Sequence, residues 1–148
     1  MVSGDGERLS EIAVRALRRA GLRGILQAGS AGLAAEGDDL LTVGDVPHAL
    51  LFPRLAAVVH HGGAGASAAV TVPVTADQPF WARRLAALGA AAEPIPFRSL
   101  TAEELADSLP QVVKRQAYSR AAARAAHHMA IENGARQTLE TVRRLTGG

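Results

Sequence analysis

Residues 56–60, Ala-Ala-Val-Val-His, form an apolar run that passes without a spacer into His61-Gly62-Gly63-Ala64-Gly65-Ala66-Ser67. A strand that is apolar at successive positions rather than at alternate ones is covered on both faces, which is the situation of a strand in a parallel sheet. Parallel neighbours need long crossovers, usually helical, so this one run commits the chain to an α/β organisation. The rest of the sequence agrees. Residues 7–20 place Leu9, Ile12, Ala13, Ala16, Leu17 and Ala20 at helical spacing and stop at Gly21. Residues 24–28 and 40–43 read as short strands on either side of a Gly- and Ala-rich loop, and residues 48–55 as a short helix or turn broken by Pro53. A fourth strand is predicted over 71–75, near an edge or a bend because of Pro73. A helix follows from Pro79 to Leu88, with Gly89 after it, then an extended piece over 93–97. Thr101 and Glu104 form a capping box for a helix to about Leu109. Helices over 116–131 and 134–145, with Asn133 as a cap, complete the chain. Strands alternating with helices predict an α/β fold with a mostly parallel sheet.

Composition narrows the function classes. The 148 residues fit one domain. Aromatics are 3% of the chain, so Ala, Val and Leu must fill the core, which requires helices packed closely on the sheet. The net charge of +2 comes from interspersed acidic and basic residues, too balanced to indicate nucleic acid. With no cysteine there is neither a disulfide nor thiolate chemistry. No apolar run approaches the ~18 residues of a membrane span, and residues 1–8 lack the apolar stretch of a signal peptide. These features predict a soluble, cytoplasmic protein.

Three segments carry chemistry, each at the carboxyl edge of the predicted sheet, where open α/β folds bind ligands. The first is His60 to Ser67. Glycines at a strand end allow a tight turn and close approach of the backbone to a ligand, and successive N–H groups at a helix start favour an anion. The same turn also serves many α/β proteins as a plain connection. It is not the dinucleotide fingerprint, and without Gly-Lys-Ser/Thr it is not a P-loop. The second is Ala76-Asp77-Gln78-Pro79-Phe80-Trp81, where a carboxylate beside an amide suits vicinal hydroxyls. Taken alone, Asp77 reads more readily as a helix N-cap. The third, Val43-Gly44-Asp45-Val46-Pro47-His48, is by itself an ordinary loop.

Together these segments resemble the nucleotide-sugar-binding motif of GT-B glycosyltransferases, nearest to the bacterial branch that acts on antibiotics, sterols and other lipophilic acceptors. The resemblance runs from about Gly6 to Leu109, and is carried by VPHALLFPRLAAVVHHGGAG followed by VPVTADQPFWARRLAALG. It implies a Rossmann-like, mostly parallel sheet with helices on both faces: the C-terminal, donor-binding half of a GT-B fold, here incomplete. It implies that His61 and the backbone of Gly63, Ala64, Gly65 and Ala66 hold a diphosphate, with Ser67 as a further contact. Asp77 and Gln78 would read sugar hydroxyls, and the loop around Val46 would touch the nucleobase. His60 would be a neighbour rather than a ligand. The implied donor is a UDP- or dTDP-activated sugar, used without cofactor or metal. Transfer is inverting, to the hydroxyl of a lipophilic natural product or a sterol-like acceptor, with His61 and the loop amides stabilising the departing diphosphate. The general base belongs to an N-terminal acceptor-binding domain that this chain does not contain, so no catalytic residue is assigned within it.

The sequence departs from that pattern in three places. It opens at the turn before the first helix, so a central strand is expected to be absent. The stretch from Ser67 to Thr71 is too short for the usual crossover, so the helix facing the phosphates is expected to be truncated. Ala66 stands where relatives often have Thr. Two other readings compete: a non-catalytic nucleotide or nucleotide-sugar binding fragment, and a phosphosugar epimerase of similar two-half architecture, against which the Asp77-Gln78 pair argues. His127 and His128 with Glu132, and Arg83, Arg84, Arg143 and Arg144, read as solvated helix faces. Trp81 reads as a buried anchor against the sheet. The tail helices read as a surface for the acceptor domain or for a second copy. Richness in Ala, Arg and Gly points to a GC-rich bacterium and secondary metabolism.

Overall fold

The computed structural model describes residues 5–62, 67–131 and 134–146. The chain is α/β, with six α-helices and four short strands among these residues. Helix α1 (Asp5–Ala20) leads into β1 (Gly24–Gln27), and β2 (Leu40–Val43) pairs with β1 in parallel, Gly24 opposite Leu40. A one-turn helix α2 (His48–Leu51) and a 3-10 turn (Phe52–Arg54) precede β3 (Val58–His60), which pairs in parallel with β4 (Ala69–Thr71). Helices α3 (Gln78–Ala87), α4 (Ala102–Lys114), α5 (Gln116–Ile131) and α6 (Gly134–Leu145) complete the order.

The described strands form two two-stranded sheets, β1–β2 and β3–β4, rather than one continuous sheet. The second is extended by residues 90–97, which run beside β4. Ala69 bridges Ala91, and the amides of Ala92, Ile95 and Phe97 donate to the carbonyls of Ala69, Thr71 and Pro73. The extended piece expected over 93–97 is thus a partial third strand.

The core lies where α1 and α4 cover β4. Val70 and Val72 pack with Ala16 of α1 and with Leu105, Ala106, Leu109 and Val112 of α4. Ala69 and Thr71, which alternate with them along the strand, are buried as well, so β4 is enclosed on both faces. Many core positions are Ala, as the scarcity of rings requires. At the open end of α1, a Cβ on Gly6 would collide with the carbonyl oxygen of Ala31. The loop after β1 folds back over that end, with Ala34 N–H donating to Ser10 Oγ at 3.1 Å. Farther along α1, the Arg18 guanidinium grips both oxygens of Asp39 at 3.0 and 3.3 Å, which holds the Asp39 carboxyl below the usual carboxylate range.

Two expectations are corrected, and the truncation expected after the glycine loop is seen. The fourth strand is Ala69–Thr71, not 71–75: Pro73 has no N–H to give a ladder, and the short connection brings Ala69 level with Val58. No helix follows the glycine loop among the described residues, since Ser67 and Ala68 are non-helical and lead straight into β4. Helix α4 does not end near Leu109 but runs through Pro110 to Lys114. The apolar stripe of Ala102, Leu105, Ala106 and Leu109 continues to Val112, which is buried, and that burial outweighs the helix hydrogen bond that proline removes. Thr101 caps the helix as expected, Glu104 N–H donating to Thr101 Oγ1 at 3.1 Å, while the Glu104 carboxylate accepts from the Thr101 hydroxyl at 3.2 Å. Asn133 lies outside the described residues.

Candidate functional site

The chain leaves β3 through His61 and Gly62, and it leaves β4 toward Asp77 and Gln78. Adjacent parallel strands thus deliver both segments to the same edge. They touch there. Gly62 is buried with φ +112°, and a Cβ at that position would lie 3.0 Å from the carbonyl oxygen of Gln78. Only glycine tolerates both the conformation and the proximity.

The turn is held from inside by His60. Its Nδ1 accepts the Gly62 N–H at 3.0 Å, so the imidazole is neutral with its proton on Nε2. Burial, and then the neighbouring His61, push the His60 pKa below its ordinary value, which keeps Nδ1 available as an acceptor. Thr71 sits opposite His60 in the β-ladder, and its buried Oγ1 has no partner. His61 itself is exposed at the strand end. Gly63, Ala64, Gly65 and Ala66 lie outside the described residues. Ser67 is half-buried, and its hydroxyl donates to the Phe52 carbonyl at 3.3 Å.

That bond joins the lead-ins to β3 and β4 at their amino ends, on the far side of the strands from Gly62. Val46 is half-buried in the loop between β2 and α2. Beyond it, His48 stacks on Phe52, centroids 4.5 Å apart and planes 14° off parallel, while His48 Nε2 lies 2.9 Å from Gln27 Oε1 at the end of β1. A continuous set of contacts therefore runs from the end of β1, through His48 and Phe52, to Ser67. The carboxyl ends of β3 and β4 deliver the His61 and Asp77 segments to one edge, and the Val46 segment follows the end of β2 in the other sheet.

At the second segment, Asp77 occupies the N-cap position of α3 but its side chain caps nothing. Oδ2 instead accepts the indole Nε1–H of Trp81 at 2.9 Å. Gln78 Oε1 accepts the N–H groups of Val74 at 2.8 Å and Thr75 at 3.2 Å, and Ala76 between them has φ +55°. Trp81 is not the buried anchor expected of it. It is 47% exposed and edge-on to Phe80 at 5.2 Å, because the first turn of α3 projects from the sheet edge and the bond to Asp77 turns the indole along the helix. The Asp77–Trp81 bond and the role of His60 were missed in the sequence. The four-residue spacing of Asp77 and Trp81 on a helix start was the available signal for the first.

No cluster of His, Cys, Asp or Glu that would hold a metal is found among the described residues. His127 and His128 lie exposed on α5, and Arg83, Arg84, Arg143 and Arg144 lie exposed on α3 and α6; Glu132 is outside the described residues. No described helix is long and apolar enough to cross a membrane.

Residues 25–145 match the family described as erythromycin biosynthesis protein CIII-like, C-terminal domain. The chain belongs to this family of GT-B glycosyltransferase C-terminal domains. Its relatives are named glycosyltransferases. It is 41% identical over 136 residues to the O-mycaminosyltylonolide 6-deoxyallosyltransferase of Streptomyces fradiae, covering 86% of this chain and 32% of that protein. It is 40% identical over 116 residues to a sterol 3-beta-glucosyltransferase of Arabidopsis thaliana, covering 71% and 18%. Among solved structures it resembles glycosyltransferase VinC in complex with dTDP, with TM-score 0.64 and 26% identity over 76% of this chain and 30% of that one. The glycosyltransferase of kitacinnamycin shares the fold at TM-score 0.72 and 19% identity, over 90% and 39%. This GT-B domain thus spans less than half of each of these proteins.

Proposed function

We propose that this domain binds the donor of a glycosyl transfer, a UDP- or dTDP-activated sugar. The observation that supports the reading is the contact between Gly62 and Gln78, which brings the glycine turn against the Asp77-Gln78 pair. His61 and the amides of residues 63–66 take the diphosphate. Asp77 accepts from sugar hydroxyls, and Gln78, whose oxygen is committed to its own turn, donates through its amide nitrogen. The backbone around Val46 meets the base. The dTDP bound to VinC supports a thymidine or uridine diphosphate as the nucleotide part.

In the reaction, an acceptor hydroxyl attacks the anomeric carbon from the face opposite the leaving group and the nucleoside diphosphate departs with the bonding pair. Negative charge grows on the β-phosphate, where fixed donors lower the barrier. No metal and no cofactor enter this scheme. The base that takes the acceptor proton, and the pocket for a lipophilic natural product or sterol-like acceptor, belong to an N-terminal acceptor-binding domain. A non-catalytic nucleotide-sugar binding role for this chain alone uses the same site and differs only in turnover.

Asp77→Ala tests the assignment. It weakens binding of the nucleotide-sugar and leaves free UDP or dTDP binding unchanged, measured by calorimetry. Equal losses for both ligands would remove Asp77 from the sugar subsite.

A further inference from the structure

We infer that Trp81 is a positioning residue for Asp77. Its indole N–H fixes one carboxylate oxygen so that the other is presented to the donor sugar. The inference rests on the sugar-reading role proposed for Asp77.

An aspartate at a helix N-cap ordinarily turns its carboxylate back onto the N–H of the second or third helical residue. Asp77 holds that position and makes no such bond; Oδ2 reaches one turn forward to Trp81 Nε1 at 2.9 Å. The backbone beneath is fixed independently. Ala76 is held in the left-handed region at φ +55°, a conformation an alanine adopts only when its surroundings impose it. Gln78 Oε1 imposes it by bonding the Val74 and Thr75 amides on the approach to the turn. Trp81 stays nearly half exposed, an uncommon place for a large ring unless its polar edge is in use. The result is a carboxylate with one oxygen anchored to an N–H and Oδ1 without a protein partner among the described residues, at the edge where Gln78 meets Gly62. A carboxylate so anchored loses less rotamer freedom when it takes a hydroxyl than a free one does.

Trp81 is the only tryptophan of the chain, so its emission reports this bond directly. The full chain and its variants Trp81→Phe, Asp77→Ala and the double variant are compared. Without ligand, Asp77→Ala shifts the Trp81 emission; an unchanged spectrum shows that the bond does not exist in solution and overturns the inference. Titrations then use dTDP and dTDP-glucose. Trp81→Phe keeps the ring beside Phe80 and removes the N–H. It loses about five- to tenfold in dTDP-glucose affinity, the scale of one hydrogen bond, with dTDP affinity unchanged. The double variant binds as Asp77→Ala does. Additive losses, or a dTDP-glucose affinity kept by Trp81→Phe while Asp77→Ala loses it, overturn positioning and leave the role of Asp77 standing. Loss of no sugar-dependent affinity in Asp77→Ala overturns both.

Discussion

His60 and His61 are neighbours with opposite tasks. His61, exposed at the strand end, is the donor proposed for the diphosphate. His61→Ala weakens UDP or dTDP binding by about 1.5–3 kcal/mol, the range of a hydrogen bond to a charged group; calorimetry with unchanged affinity would remove it from the site. His60 works as a neutral acceptor inside the turn. Its folded pKa is depressed by burial and by His61, so the unfolded chain binds its proton more readily. The stability it contributes is fully present above the unfolded value of about 6.5 and is lost as pH falls through the folded pKa. Denaturant midpoints measured downward from pH 8 therefore fall with acidification, and His60→Gln, which retains an acceptor without a titration in this range, falls less. Thr71 carries a buried hydroxyl without a partner. Thr71→Val removes that uncompensated group at the same shape, so it raises stability by about 1 kcal/mol, seen as a higher melting temperature. In the sequence, the residue types at these positions were legible but their partners were not. Asp77 and Trp81 read as a cap and an anchor, because both are what those residues usually do at such places. Their bond depends on a rotamer set by the left-handed Ala76, and no alanine announces a positive φ.

At the scale of elements, patterning located the helices well. The apolar stripe of α1 gave its position to within two residues and the Thr101 capping box gave the start of α4, because a helix is held by local spacing and local caps. Elements decided by distant contacts were less legible. β4 moved upstream to Ala69–Thr71 because its register is set by β3, and α4 ran past Pro110 because Val112 finds the core. The meeting of the Gly62 turn with the start of α3 also rests on one glycine. Gly62→Ala places a Cβ 3.0 Å from the Gln78 carbonyl in a backbone conformation costing an alanine about 1–3 kcal/mol. It lowers the melting temperature and weakens dTDP-glucose binding together; a variant that melts and binds like the parent chain would show that the two segments do not meet in solution.

The whole molecule is a domain with open boundaries. β1–β2 and β3–β4 stand as separate sheets, and Ile25 and Val59 on their strands are exposed. Met129, Ile131, Leu139, Val142 and Leu145 of α5 and α6 are exposed too, while α4 and α1 bury theirs against each other and β4. The family and its fold were readable because the three loop segments and their order survive intact, whereas the splitting of the sheet depends on pairing that no local pattern encodes. The proposed donor site is assembled within this domain. Isothermal titration of the chain with dTDP and UDP, and then with their glucose conjugates, tests it most directly. The nucleotides are expected to bind and their conjugates to bind more tightly, with the increment lost in Asp77→Ala. A chain that circular dichroism shows to be folded and that binds none of the four ligands would contradict it.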